Sequence, residues 1–192
     1  MKHLLSTLAL ICIALTVITF SITACSEETP ASKNDSTTAD RGNAEEQYNL
    51  GLEYYKKQDY SQAVECFKKA AEQENAEAQW ALGLCYFSGE RGVTKNQVEA
   101  VKWFRKAAEQ GHAEAQNELG TCYYNGEGIN KNNTEAVNWW RKAAEQGHAE
   151  AQLRLGILFY AAENRVEAVK WFRKAADQGN EMAKEALKNL GY

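Results

Sequence analysis

One motif is written four times along this 192-residue chain. Ala113-Glu114-Ala115-Gln116 leads to Leu119-Gly120 and Tyr123. Ala76-Glu77-Ala78-Gln79 leads to Leu82-Gly83 and Tyr86, and Ala149-Glu150-Ala151-Gln152 leads to Leu155-Gly156 and Phe159. A looser copy runs Ala44-Glu45-Glu46-Gln47 to Leu50-Gly51 and Tyr54. The units align as 44–75, 76–112, 113–148 and 149–180, with a final segment 181–192, a period of 32–37 residues. Repetition at that period marks a solenoid, because one unit alone cannot bury its apolar face and stacked neighbours must do so.

Each unit carries two helical patterns. In the second, Ala78, Leu82, Cys85 and Tyr86 fall on one face of a 3.6-residue helix (helix A), and Ala100, Phe104, Ala107 and Ala108 do the same in helix B. The single proline, Pro30, lies outside the repeats, which leaves them free of the strongest helix breaker. Gly51, Gly83, Gly120 and Gly156 recur in mid-helix, where glycine costs ~1 kcal/mol relative to alanine. Their recurrence at one repeat position predicts that helix B crosses there with no room for a side chain. Gly111, Gly147 and Gly179 are placed to end helix B in a left-handed turn, and His112, His148 and Asn180 to cap the next helix.

At this level of detail the units resemble Sel-1-like repeats, relatives of tetratricopeptide repeats. The stretch Tyr123-Tyr124-Asn125-Gly126-Glu127-Gly128-Ile129, then Glu135-Ala136, Trp139-Trp140 and Arg141-Lys142-Ala143-Ala144-Glu145-Gln146-Gly147, carries the likeness. Gln79 and Gly111 stand where tetratricopeptide repeats have Trp and Pro. The resemblance implies an all-α fold, a right-handed α-solenoid of four two-helix repeats with a C-terminal capping helix. Tyr86 to Ala100 and Tyr123 to Ala136 enclose long glycine-containing loops, whereas Tyr54 to Ala63 and Phe159 to Ala168 are short and tetratricopeptide-like in length. The last segment has Lys188 in place of the packing glycine and a polar side at Lys184, Glu185 and Asn189, so it is expected to cap and complete the array.

The first 24 residues read as a signal peptide: Met1-Lys2-His3 is basic, and Leu4 to Phe20 is largely apolar but short for a membrane span. Ile22-Thr23-Ala24-Cys25 resembles a bacterial lipobox. That resemblance implies cleavage before Cys25, lipidation of its sulfur and amine, and, with Ser26 next, an outer-membrane lipoprotein facing the periplasm. Residues 25–43 then form a lipidated cysteine and a disordered tether, rich in Ser, Thr, Asp, Asn and Glu with no large apolar side chain and roughly 24 Å in root-mean-square span.

By resemblance to tetratricopeptide stacking, positions five, nine and twelve of helix A line a concave groove. Here they are Tyr48, Leu52 and Tyr55, then Trp80, Leu84 and Phe87, then Asn117, Thr121 and Tyr124, then Leu153, Ile157 and Tyr160. Such an aromatic and aliphatic track suits a protein or peptide, which makes the chain an adaptor or scaffold. A peptidoglycan or polysaccharide ligand stacking on the same rings is the alternative. Some Sel-1-like proteins are described as β-lactamase-like, but those pair two cysteines per repeat and this chain has at most one. No Ser-x-x-Lys, Gly-x-Ser-x-Gly or His-Glu-x-x-His motif is present, so no enzyme, catalytic residue or cofactor is expected. His112 and His148, one repeat apart without neighbouring Cys ligands, make no metal site. A net charge of −4 gives a nucleic acid little to attract it. The basic pairs Lys68-Lys69, Arg105-Lys106, Arg141-Lys142 and Arg173-Lys174 are expected to form a solvated outer face, with Arg105–Glu109, Arg141–Glu145 and Arg173–Asp177 as i,i+4 pairs. Cys66, Cys85 and Cys122 are read as small buried hydrophobes, with a Cys66–Cys85 bridge left open.

Overall fold

The computed structural model describes residues 36–89 and 93–192, with side chains from residue 43 onward. The expected signal peptide, Cys25 and the tether as far as residue 35 lie outside the described residues. Residues 38–192 form one compact unit. Its helices are α1 (Ser36–Lys56), α2 (Tyr60–Glu72), α3 (Ala76–Ser88), α4 (Gln97–Glu109), α5 (Ala113–Asn125), α6 (Asn133–Glu145), α7 (Ala149–Ala161), α8 (Arg165–Asp177) and α9 (Glu181–Asn189). No strand occurs among the described residues. From α2 onward each helix packs on the next in sequence, and α1 meets α2 where Tyr48 and Gly51 face Phe67, so the pairs α1/α2, α3/α4, α5/α6 and α7/α8 are the four units and α9 closes the C-terminal end. Helix α1 starts at Ser36 rather than Ala44, so residues 36–43, read above as tether, are helical. Extending a formed helix costs far less than nucleating one, and this stretch contains no proline.

The boundaries follow from side chains that compete for backbone groups. Helix B of each unit is capped by Asp59, Asn96, Asn132 or Asn164, and helix A of the later units and the capping helix by Asn75, His112, His148 or Asn180. At the helix-B exits, Gly111, Gly147 and Gly179 take φ values of 95°, 98° and 88°. The following N–H then reaches back five residues, from His112 to the Ala107 carbonyl, from His148 to Ala143 and from Asn180 to Ala175. The residue that closes one helix therefore caps the next, which is why the turn between units is so short. In the first unit Glu74 holds this left-handed position, at φ 65°. Within units, the N–H of each helix-B cap donates to the carbonyl of an aromatic residue on helix A: Asp59 to Tyr54, Asn96 to Tyr86, Asn132 to Tyr123 and Asn164 to Phe159. Long and short loops thus end in the same lock.

The mid-helix glycines sit where helix B crosses. A Cβ on Gly51 would lie 2.6 Å from the Phe67 ring, on Gly83 2.6 Å from Phe104, on Gly120 2.6 Å from Trp140 and on Gly156 2.5 Å from Phe172. The rings fill the notch, and Phe104 and Phe172 are buried among alanines such as Ala100, Ala107 and Ala168. The long loop of the third unit adds a constraint of its own: a Cβ on Gly128, at φ 69°, would collide with the Gln97 carbonyl and the Val98 amide at the start of α4.

Neighbouring units are joined by a buried glutamine relay. Gln79, Gln116 and Gln152 donate their Nε2 groups to the Ala71, Ala108 and Ala144 carbonyls of the preceding helix B, at 3.1, 3.1 and 3.0 Å. Their Oε1 atoms accept from Gln110, Gln146 and Gln178, each at 2.8 Å. One side chain thereby adds a second hydrogen bond to a carbonyl at a helix end, which already accepts from Glu74, Gly111 or Gly147 N–H, and ties two units together. The outer face differs from expectation. The i,i+4 pairs of Arg105, Arg141 and Arg173 do not form; Arg105 donates to the Tyr123 hydroxyl at 2.8 Å, and Arg173 lies over the Tyr192 ring. Lys106, Lys142 and Lys174 instead lie 4.2, 3.9 and 4.5 Å over Trp103, Trp139 and Trp171, an attraction worth about 0.5–1 kcal/mol at exposed sites.

Substituting Gly83→Ala tests the notch. Helix propensity alone would stabilise the variant by ~1 kcal/mol, but the Phe104 ring would have to shift, at about 1–3 kcal/mol. Chemical denaturation should show a net loss of stability; a gain would mean that helix B is not held at that distance.

Candidate partner-binding surface

The helix-A track divides into three levels of exposure. Tyr48, Leu52, Asn117 and Leu153 are buried and do not line an open surface. Tyr48 packs on Phe67 with ring centroids 5.7 Å apart. Leu153 joins Phe172, Ala175 and Ala183 beneath the capping helix α9. Position five thus faces neighbouring helices more than solvent, which is where the expected groove was too wide. Tyr55, Trp80, Leu84, Phe87 and Thr121 are half-buried. Tyr55 meets Tyr60 edge-on, Phe87 packs on Phe104 and Trp80 lies 5.3 Å from the His112 ring. Tyr124, Ile157 and Tyr160 are exposed, at 42%, 53% and 48%. The open part of the track therefore lies on α5 and α7, in the third and fourth units.

A charged cluster borders that open part, and sequence reading passed over it. Arg154 pairs with Glu150 at 3.1 Å, and its guanidinium lies 5.8 Å over the Trp140 ring. Burial raises the Glu118 carboxyl above its ordinary pKa, opposed chiefly by the nearby Arg154 charge. Asn117 donates to Glu118 at 3.3 Å, while the Asn117 carbonyl accepts from Trp140 Nε1 at 3.2 Å. Thr121 donates to the same carbonyl at 2.9 Å, so the polar residues of the third unit are held by the backbone beneath them. Tyr124 stacks against Trp140, and Lys131 lies 5.2 Å over the Tyr124 ring. The overlooked signal is register: Glu118 and Arg154 occupy the same position in successive units, which sets opposite charges on adjacent A helices.

The histidines act as caps, as expected. Nδ1 of His112 and of His148 accepts the backbone N–H three residues on, from Ala115 and Ala151, at 3.2 Å. His112 Nε2 lies 3.1 Å from Glu77, whose carboxyl is lowered mainly by that contact. Cys66, Cys85 and Cys122 are free thiols. Burial raises all three, Cys85 to about 11 and Cys122 to about 12, which keeps them protonated and unreactive at neutral pH.

Stacked two-helix units with a glycine notch, a shared cap and a capping helix define an α-solenoid repeat protein. The Sel1 repeat pattern matches residues 76–112, 113–148 and 149–180, and the tetratricopeptide repeat pattern matches 44–74. Short turn notwithstanding, the fourth unit falls with the second and third. A Sel1 repeat protein from Oxalobacter formigenes is 40% identical over 76% of this chain, with a TM-score of 0.69. The protein c5321, a protective antigen present in uropathogenic Escherichia coli strains, is 37% identical over 79% of this chain, with a TM-score of 0.71. The match spans 61% and 34% of those two chains. No curated protein matches. The chain belongs to the Sel1-repeat family.

The cap geometry makes a pH prediction. An Nδ1 that accepts a backbone N–H cannot carry a proton, and burial lowers the His148 pKa below its ordinary 6.5, against the opposing pull of Glu114 and Glu150. A depressed folded pKa means that the unfolded chain binds the proton first. The stability linked to His148 is therefore complete above pH 6.5 and is lost as the pH falls through the lower folded value. Asparagine already caps α3 and α9 at this position. His148→Asn should keep its neutral-pH melting temperature to within a few degrees and lose less stability than the parent between pH 7 and 5. Equal acid sensitivity in both proteins would refute the assignment.

Proposed function

We propose that this chain is a lipid-anchored envelope adaptor that holds a protein or peptide partner on the helix-A track of its third and fourth units. The observation that carries this reading is the exposure of Tyr124 and Tyr160 at one repeat position, with Ile157 exposed three residues before Tyr160, on helices positioned by the glycine notches beneath. Aromatic side chains bury much area at small entropic cost, which suits recognition, and the bordering Arg154–Glu150 pair supplies polar specificity at the rim. Repeat proteins of this class generally use such surfaces for protein interaction, and the reading assigns no reaction to the chain. For the membrane end, Ile22-Thr23-Ala24-Cys25 supports lipidation at Cys25 and an outer-membrane, periplasm-facing location. The tether then lets the array reorient above the bilayer. Description of a similar protein as a protective antigen accords with an envelope location.

Replacing both Ile157 and Tyr160 with Asp leaves the buried contacts intact, since both side chains are about half exposed. The variant should keep the parental circular dichroism and melting temperature but lose the partner that copurifies with the parent from solubilised envelopes. Undiminished copurification would refute the site, and co-sedimentation with peptidoglycan that the variant abolishes would reassign it to a glycan. Cys25→Ser should move the chain from the membrane to the soluble fraction; retention in the membrane would refute the anchor.

A further inference from the structure

The same repeat register that defines the interior contacts exposes an end that lacks them. Leu82, Leu119 and Leu155, at one position of helix A, are 0% exposed, whereas Leu50 at that position in α1 is 38% exposed. Gln79, Gln116 and Gln152 each spend Nε2 on a carbonyl of the preceding helix B. The equivalent Gln47 has no such carbonyl among the described residues and is partly exposed. Its relay is broken on the other side as well: Gln73, where Gln110, Gln146 and Gln178 donate to the relay glutamine, turns back to the Lys69 carbonyl at 3.2 Å. Between Gln47 and Gln73 lies a shallow cleft of about 260 Å³, also lined by Asn43, Lys69 and Glu72. The C-terminal end differs: α9 covers it, with Ala183 buried and Leu187 half-buried against the α8 side.

We propose that the N-terminal end of the array, around Gln47 and Leu50, is a second docking surface, separate from the helix-A track, and that its occupant is the C-terminal end of an α-helix of a partner protein. The chemistry of that occupant is written three times inside the chain. At each interior junction the helix seated here ends in Ala-Ala-Glu-Gln followed by a left-handed residue, and its second alanine carbonyl accepts from the relay glutamine as well as from the backbone N–H three residues on. Small residues let the helix approach closely enough to cover the leucine, and the second lone pair of the alanine carbonyl receives the amide. A partner helix with two small residues in its last turn, offered like the outer helix of a repeat unit, fulfils both requirements. The open cleft then continues an interface the chain already uses.

The test uses the full chain, isotope-labelled, and a lactam-stabilised helical peptide of residues 97–112, which carries the Ala107-Ala108 ending and the turn through His112. Titration should give saturable chemical-shift changes at the Gln47 side-chain amide and at Leu50 and its neighbours on α1 and α2. Gln47→Ala combined with Leu50→Glu should weaken binding by about tenfold or more. A peptide with Ala107 and Ala108 changed to Glu should not bind. Circular dichroism of the double variant, matching the parent, guards against unfolding as the cause. No shifts with the parent peptide, or shifts confined to α5 and α7, would overturn the proposal. Concentration-dependent shifts at Gln47 and Leu50 without any peptide would overturn it in favour of a second copy of this chain as occupant. Loss of the Ile157/Tyr160 partner leaves this test unaffected, so the two surfaces stand or fall separately.

Discussion

The distance between the two helices of a unit is set by an absent side chain. With glycine at 51, 83, 120 and 156, the ring of Phe67, Phe104, Trp140 or Phe172 rests on helix-A backbone, at a separation any Cβ would prevent. Everything further out inherits that spacing. It brings the helix-B cap close enough to donate to the Tyr54, Tyr86, Tyr123 or Phe159 carbonyl, and so fixes where helix B begins. It also leaves the alanine face of helix B flat for the next helix A. The ~1 kcal/mol that glycine costs in a helix interior is offset because the notch seals a large aromatic side chain in each unit.

Between units the limiting problem is polar. A helix end leaves carbonyl acceptor capacity unused, and an end pressed against another helix cannot leave it to water. Gln79, Gln116 and Gln152 solve this from within the core, each accepting from a second glutamine at the end of its own unit. Because the relay needs a preceding unit, it also marks where the array is open. The exposed Leu50 and a Gln47 with no helix-B carbonyl among the described residues at one end, and the covering helix α9 at the other, are two outcomes of one rule.

Much of the fold was legible because a period repeats its own errors away. One mid-helix glycine is ambiguous, but four at one register announced a close crossing, and His112, His148 and Asn180 in matching turns announced caps. The candidate surface was less legible. Position-five residues Tyr48, Asn117 and Leu153 look like groove residues in sequence, yet adjacent helices bury them, because burial depends on the neighbour across the junction rather than on the residue itself. The basic pairs misled for a similar reason: tryptophan one turn back on the same helix offers Lys106, Lys142 and Lys174 a flat face that the i,i+4 rule does not consider. The Glu118–Arg154–Glu150 cluster needed two units compared in register before its charges could be placed side by side.

What remains is a stack whose helix-A track opens to solvent on α5 and α7, at Tyr124, Ile157 and Tyr160, and the functional account depends on that surface meeting the partner. Photo-crosslinking in intact envelopes tests it directly, with a benzophenone side chain placed at Tyr124 or Tyr160 on the track, or at Lys102 or Arg141 on the opposite helices. The account predicts one discrete adduct from the track positions and none from the helix-B positions. Adducts from Lys102 and Arg141 with none from Tyr124 and Tyr160 would contradict it.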